Sequence, residues 1–169
     1  MLTVLGIDPG YAIVGYGVVK YDNLRFRPVE YGAITTPAKT LFTDRLKRIF
    51  DSITLVIEKY NPDALSIEKL FFNTNSTTAI DVAQARGVIV LAATLKGIPV
   101  FEYTPLQVKQ SVTGYGRAEK KQVQDMVKHI LKLESVPKPD DTADALAIAI
   151  CHAHYAASSY GKINSEGRI

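Results

Sequence analysis

Leu2-Thr3-Val4-Leu5-Gly6-Ile7-Asp8-Pro9-Gly10 decides how this chain is read. Its first six residues form a largely continuous apolar run, as expected of a strand buried on both faces. The run stops at a carboxylate followed by a turn-forming Pro-Gly pair. A second run, Ala64-Leu65-Ser66-Ile67, ends the same way, in Glu68. Two more acids, Asp141 and Asp144, stand three residues apart at the start of an alanine-rich helix. Carboxylates at two strand ends and on one helix face suit hard divalent cations such as Mg²⁺, which prefer oxygen ligands.

Working outward, Ala12–Tyr21 and Leu24–Thr35 read as two further strands, with Asp22-Asn23 as the tight turn between them. Gly10, Gly15 and Gly17 are expected to leave open space above Asp8. A helix is predicted from Leu41 to Tyr60, where Phe42, Leu46, Ile49, Phe50, Ile53, Val56, Ile57 and Tyr60 mark one face, and Asn61-Pro62 stops it. Asp63–Glu68 is the fourth strand and Leu70–Asn75 a loop. Ser76 or Thr77 is expected to cap a second helix ending near Gly97. Pro99–Tyr103 is a fifth strand. Thr104-Pro105 opens a short helix, Gly114-Tyr115-Gly116 breaks it, and helices follow at Ala118–Leu133 and Asp141–Ala157. The sum is an α/β fold: a mixed five-stranded sheet, three antiparallel strands and then parallel β-α units, flanked by helices. A crossover through the Leu41–Tyr60 helix makes the first and fourth strands parallel neighbours, which sets Asp8 beside Glu68. Residues 1–157 form one domain and 158–169, polar and without periodicity, a flexible tail.

Composition sets the boundaries. With 169 residues, 47% hydrophobic and 22% charged, the chain is an ordinary globular domain. A net charge of +3 is too mild to name a polyanion partner by itself. Cys151 is the single cysteine; it excludes an internal disulfide framework, fits a reducing cytoplasm and is expected to be a small buried hydrophobe. No signal-peptide pattern precedes Asp8. The most apolar run, Gly87–Leu95, is far shorter than the roughly 20 residues of a membrane span, so a soluble, cytoplasmic protein is expected.

Each acid has a plain structural explanation. Asp8-Pro9-Gly10 is a common turn, Asp140 or Asp141 could be a charge favoured by a helix N-terminus, and Lys69 could neutralise Glu68. Asp144 is harder to dismiss, because it borders an apolar helix with no basic residue within a turn. Two like charges about 4 Å apart repel by roughly 4 kcal/mol at an effective dielectric near 20, so four gathered acids call for cations. Two such ions about 3.5–4 Å apart are the arrangement that clamps attacking and leaving oxygens in phosphoryl transfer.

Gly6-Ile7-Asp8-Pro9-Gly10 with Gly15-Tyr16-Gly17, Ile67-Glu68, Gln84-Ala85-Arg86-Gly87, Val100-Phe101-Glu102-Tyr103, Gln107-Val108-Lys109-Gln110, Ala118-Glu119-Lys120 and Ala143-Asp144-Ala145-Leu146-Ala147-Ile148-Ala149 closely resemble the bacterial RuvC Holliday-junction resolvases. The match runs in register over about residues 2 to 155. It implies a ribonuclease-H-like fold and a homodimeric, Mg²⁺-dependent endonuclease, with Mn²⁺ able to substitute, that nicks opposed strands of a four-way DNA junction. Two ions per subunit would be held by Asp8, Glu68, Asp141 and Asp144; the resemblance selects Asp141 over Asp140, whose role it leaves open. It further implies 5′-phosphate and 3′-hydroxyl products in recombination and repair, and work alongside a RuvA–RuvB branch-migration complex.

Six basic residues between Lys109 and Lys132 (Lys109, Arg117, Lys120, Lys121, Lys128, Lys132) face two acids, Glu119 and Asp125. Lys128 and Lys132 fit a solvated helix face. Lys109 and Lys120, on either side of the glycine break, suit phosphate contacts, with Arg117 and Lys121 beside them. One of Phe71 and Phe72 is expected to be core, Phe72 by preference, while the resemblance implies that Phe71 stacks on a junction base. The Gly87–Leu95 helix is either covered by another helix or lies at a two-fold interface; the interface is preferred, because paired symmetric cuts need two dyad-related sites. His129, His152 and His154 are read as surface or structural residues. The competing readings are another ribonuclease-H-like nuclease, an actin-like nucleotide-binding half-domain and a non-catalytic junction binder.

Overall fold

The computed structural model describes residues 1–70, 76–158 and 168–169. Strands β1 (Leu2–Asp8), β2 (Ile13–Asp22) and β3 (Arg25–Thr35) come first, then α1 (Phe42–Tyr60), β4 (Ala64–Glu68), α2 (Ser76–Leu95), β5 (Val100–Tyr103), α3 (Pro105–Thr113), α4 (Lys120–Ile130) and α5 (Asp140–Ala157). The strands form one sheet in the order β3-β2-β1-β4-β5. β1 runs antiparallel to β2 and parallel to β4, and β4 runs parallel to β5. The expected five-stranded mixed sheet is therefore present, with β1 at its centre.

Period-two alternation divides the core. Leu5, Ile7, Leu65 and Ile67 face α1 and α2, where Ile49, Ile53, Ile57, Ala85 and Ile89 complete one buried cluster. Val4, Val19 and Tyr103 face the other way and pack with Val108, Val123, Val127 and the buried length of α5. Gly6 also lies on the α5 side: a Cβ there would overlap the Ala145 carbonyl and the Ala149 amide. Since side chains alternate, Asp8 follows Val4 and Gly6 onto the α5 face. Ser66, whose hydroxyl donates to the Ile148 carbonyl at 3.3 Å, puts Glu68 on that face too.

Two local expectations need correction. The β2–β3 turn is built on Asn23-Leu24, both at positive φ (46° and 64°), with Asp22 paired to Arg25. Two consecutive left-handed residues make a type I′-like turn, whose twist matches that of the flanking strands; apolar Leu24 hides the signal and is left 85% exposed. The glycines at 15 and 17 do not leave open space. A Cβ on Gly15 would overlap the carbonyl of Asp141, and one on Gly17 would press on Leu146 at 2.6 Å. With Gly6 they form a flat seat that lets α5 lie directly on β1 and β2.

Helix ends follow local chemistry. Thr104 and Gln107 form a reciprocal capping box at α3 (Gln107 amide to Thr104 hydroxyl 3.2 Å, Thr104 amide to Gln107 side chain 2.8 Å) with Pro105 in the first turn. Gly114 closes α3 at φ 77°. The cap expected from Ser76 or Thr77 falls on side chains outside the description. In the tail, Arg168 bridges Phe101 in antiparallel fashion and the Ile169 amide donates to the Val100 carbonyl at 3.1 Å, so these two residues lie along the edge of β5.

Candidate active site

Ile7 pairs with Ile67, so Asp8 and Glu68 leave the adjacent ends of β1 and β4 together, side chains on the α5 face. The glycine seat brings the first turns of α5 over the same strand ends, with the backbone of Asp141 against Gly15. Asp141 and Asp144, at i and i+3, share a side of that helix. Each of the four acids is partly buried.

Electrostatics show how near they stand to one another. Burial pushes the Asp8 carboxyl up to about 8, with help from Asp144, Glu68 and Asp141, in that order, against a smaller pull from Lys120. Glu68 and Asp144 are likewise raised, burial first; Asp144 adds to the rise at Glu68, and Lys109 and Lys120 oppose it. At Asp144 the hydrogen bond from Lys120 opposes the rise. Even so, among the described residues no three side chains converge tightly enough to frame a metal ion. Mutual repulsion explains the splay, and so does Lys120, which draws Asp144 toward α4.

The donor set fits a hard divalent cation. It is all carboxylate, half-buried and short of positive charge. Burial, with the neighbouring acids adding to it, disfavours the charge on Asp8, and a bound divalent cation would relieve that conflict. Lys120 Nζ lies 2.9 Å from Asp144 Oδ2, the one ion pair made by any of the four acids among the described residues. Sequence spacing missed it, because the lysine arrives from another helix. α4 carries it there: the Glu119 amide donates to Gln122 Oε1 at 2.8 Å and fixes the turn that presents Lys120. Lys69 does not serve Glu68. One residue further along, it points to the opposite face and meets Glu102 at 3.4 Å, where Arg86 also lies, at 2.7 Å.

Lys109 and Lys120 line a cleft of about 230 Å³ together with Glu68 and Asp144, so both lysines stand beside the acids as expected. Arg117 and Lys121 are exposed and do not line it. A larger cavity, about 960 Å³, lies by Phe101, Tyr103 and His152, away from the acids.

A family model for the crossover junction endodeoxyribonuclease RuvC matches residues 4–152. The chain belongs to the RuvC family. RuvC proteins of Alkaliphilus metalliredigens and Brevibacillus brevis are each 60% identical to it, over 153 and 156 residues, covering 90% and 92% of this chain and 93% and 94% of theirs. Among solved structures, Thermus thermophilus RuvC superposes with a TM-score of 0.87, at 35% identity over 99% of both chains. The same protein in complex with a Holliday junction substrate gives 0.91, at 35% identity over 100% of both. The sheet is thus the ribonuclease-H-like fold of RuvC, and family membership carries with it divalent-metal-dependent nuclease chemistry.

Phe71 and Phe72 lie outside the described residues. His152 is buried, 2.8 Å from the Tyr103 hydroxyl, and burial pushes it down to about 4. His154 meets the Ser111 hydroxyl at 3.1 Å, and His129 is exposed. Cys151 is buried, its thiol pushed up to about 12 by burial. Helix α2 is long and apolar enough over Thr78–Leu95 to cross a membrane by length and composition alone, which the shorter run Gly87–Leu95 concealed. Its fold role is different: Ala85, Ile89, Ala92 and Ala93 pack into the core, and Arg86 pairs with Glu102.

Proposed function

We propose that this chain is a Holliday-junction resolvase, cutting opposed strands of a four-way DNA junction by paired symmetric nicks. One observation carries the reading: Asp8 and Glu68 leave the adjacent ends of β1 and β4, and the first turns of α5 bring Asp141 and Asp144 over the same end of the sheet, in a chain of the RuvC family. Asp8, Glu68, Asp141 and Asp144 would hold divalent metal, Mg²⁺ with Mn²⁺ as substitute, two ions per subunit. Bound there, the ions would supply activation of the attacking water and neutralisation of charge on the departing 3′-oxygen. The chain's part is placement. β1 and β4 offer carboxylates from one side and α5 from the other, and the half-buried setting limits the water that would otherwise weaken each contact. In-line attack would leave 5′-phosphate and 3′-hydroxyl ends, as recombination and repair in the cytoplasm require.

Lys109 and Lys120, in the cleft beside the acids, would take the phosphates flanking the scissile bond, with Arg117 and Lys121 holding the next ones. Phe71 would stack on a base at the opened centre of the junction. Paired cutting calls for a homodimer, and α2 offers the surface. Ile80, Leu91 and Leu95 are 62%, 50% and 65% exposed. With Gly87 they share the side of α2 opposite its core face, and nothing lies within 4 Å of where a Gly87 Cβ would be, which permits close approach of a second helix. In the cell the dimer would work with a RuvA–RuvB branch-migration complex.

The test is to incubate the protein with a four-way junction, a linear duplex and an RNA–DNA hybrid, with and without Mg²⁺. Symmetric nicks in the junction alone, lost in Asp144→Asn while junction binding persists, are expected. Cleavage of the hybrid in preference to the junction, or nicking by Asp144→Asn at the normal rate, refutes the reading.

A further inference from the structure

Asp140 stands beside the acid cluster without being one of the four proposed ligands, and its contacts suggest a use. Asp140 and Asp144 are one turn apart on α5, and Lys120 reaches both: its Nζ lies 2.9 Å from Asp144 Oδ2 and 3.6 Å from Asp140 Oδ2. The other Asp140 oxygen, Oδ1, is held by Lys138 Nζ at 2.6 Å. Asp140 is 43% exposed, Asp144 27%. One ammonium is therefore shared between an inner and an outer carboxylate, tighter on the inner one. Its stem begins at the first residue of α4, held in place by the Glu119–Gln122 bond, so the side chain can swing about a fixed root.

A divalent ion bound by Asp144 and an ammonium hydrogen-bonded to the same carboxylate are like charges in close quarters, and they repel. Lys120 has somewhere to go. Asp140 is about one turn back on the same helix face, already oriented by Lys138, and nearer to solvent. We propose that Asp140 is a holding site for Lys120: divalent metal entering at Asp144 moves the ammonium outward onto Asp140, and Asp140 thereby sets how tightly the cluster binds metal. The inference rests on the four acids being the metal site. It makes Asp140 a positioning residue, acting through Lys120. In the metal-free protein Lys120 serves as the cluster's counter-ion; in the loaded protein it is held one turn away, where it remains available to DNA phosphate.

The experiment is a double-mutant cycle on the full-length protein, reading Mn²⁺ affinity by isothermal titration calorimetry at fixed ionic strength without DNA. Lys120→Met is expected to tighten Mn²⁺ binding about 5-fold or more, since the metal no longer competes with an ammonium. Asp140→Asn is expected to weaken it about 3-fold in the presence of Lys120 and to leave it within about 1.5-fold in the Lys120→Met background. An equal loss in both backgrounds would mean that Asp140 acts only as a distant negative charge, and overturns the proposal. Should Lys120→Met fail to fold by circular dichroism, Lys120→Gln gives the same comparison. A wild-type protein that binds no Mn²⁺ at all would instead sink the metal-site reading itself.

Discussion

Replacing Asp8 by Asn should stabilise the metal-free protein while destroying its chemistry. In the fold the Asp8 carboxyl titrates near 8, against 3.8 for an ordinary aspartate, because burial and three neighbouring acids disfavour its charge. The folded-state value is the higher one, so the native state holds this proton more tightly than the unfolded chain does. Stability from this group is therefore fully present below about pH 4 and is lost as pH rises through about 8. At pH 7 the gap is about 3 units, which at 1.36 kcal/mol per unit gives a ceiling of about 4 kcal/mol. Relaxation of the half-exposed neighbours reduces the expected gain from Asp8→Asn to about 2 kcal/mol, or roughly 4–8 °C in Tm for a chain of this size. The assay is urea or thermal unfolding in EDTA across pH 5–8. Wild type should lose stability toward pH 8, and Asp8→Asn should lose less. Saturating Mg²⁺ should then narrow or reverse the gap, since the intact cluster gains more from the ion. An Asp8→Asn protein no more stable than wild type in EDTA throughout that range would refute the electrostatic account of the cluster.

Gly15→Ala puts a methyl into the Asp141 carbonyl; it should cost more than about 2 kcal/mol and weaken Mn²⁺ binding in whatever fraction still folds, measured by unfolding and calorimetry. Leu91→Glu, on the exposed side of α2, should shift a dimer to monomer in analytical ultracentrifugation with the monomer's circular dichroism unchanged. Lys109→Ala should reduce the slope of log K against log salt for junction binding by about one, read by fluorescence anisotropy. His152, buried and pushed down to about 4, must gain a proton on unfolding below its ordinary value of 6.5. It should remove about 3 kcal/mol of stability as pH falls from about 6.5 to 4, a loss that His152→Gln should largely lack.

Much of this was legible because the signals are local. A buried run ending in an acid marks β1 and β4, and a 3.6-residue stripe marks α1. Thr104-Pro105 announces α3. What the sequence hid depends on elements meeting across the fold. Lys120 could not be matched to Asp144 by spacing, since α4 and α5 meet only in the tertiary structure. The glycines at 15 and 17 read as open space above Asp8, yet with Gly6 they record the absence of side chains where a helix lies on a sheet. Read together, three glycines on one face of two adjacent strands were the available signal for that contact. Lys69 and Glu68, neighbours in sequence, belong to opposite faces because a strand separates consecutive side chains, a rule that sequence alone could have supplied. The two faces of α2 could not be told apart, because both are apolar.

The seat that joins α5 to β1 also orders events during synthesis. The acids of β1 and β4 leave the ribosome early, whereas Asp141 and Asp144 ride on α5, the last helix among the described residues. A nascent chain can pair its first strands and fold α1 over them while carrying only half of the proposed metal site. The four acids are gathered only once α5 docks on Gly6, Gly15 and Gly17, the step that also seals the second core. With the four acids as the proposed metal site, the contact that completes the fold is also the one that completes the site.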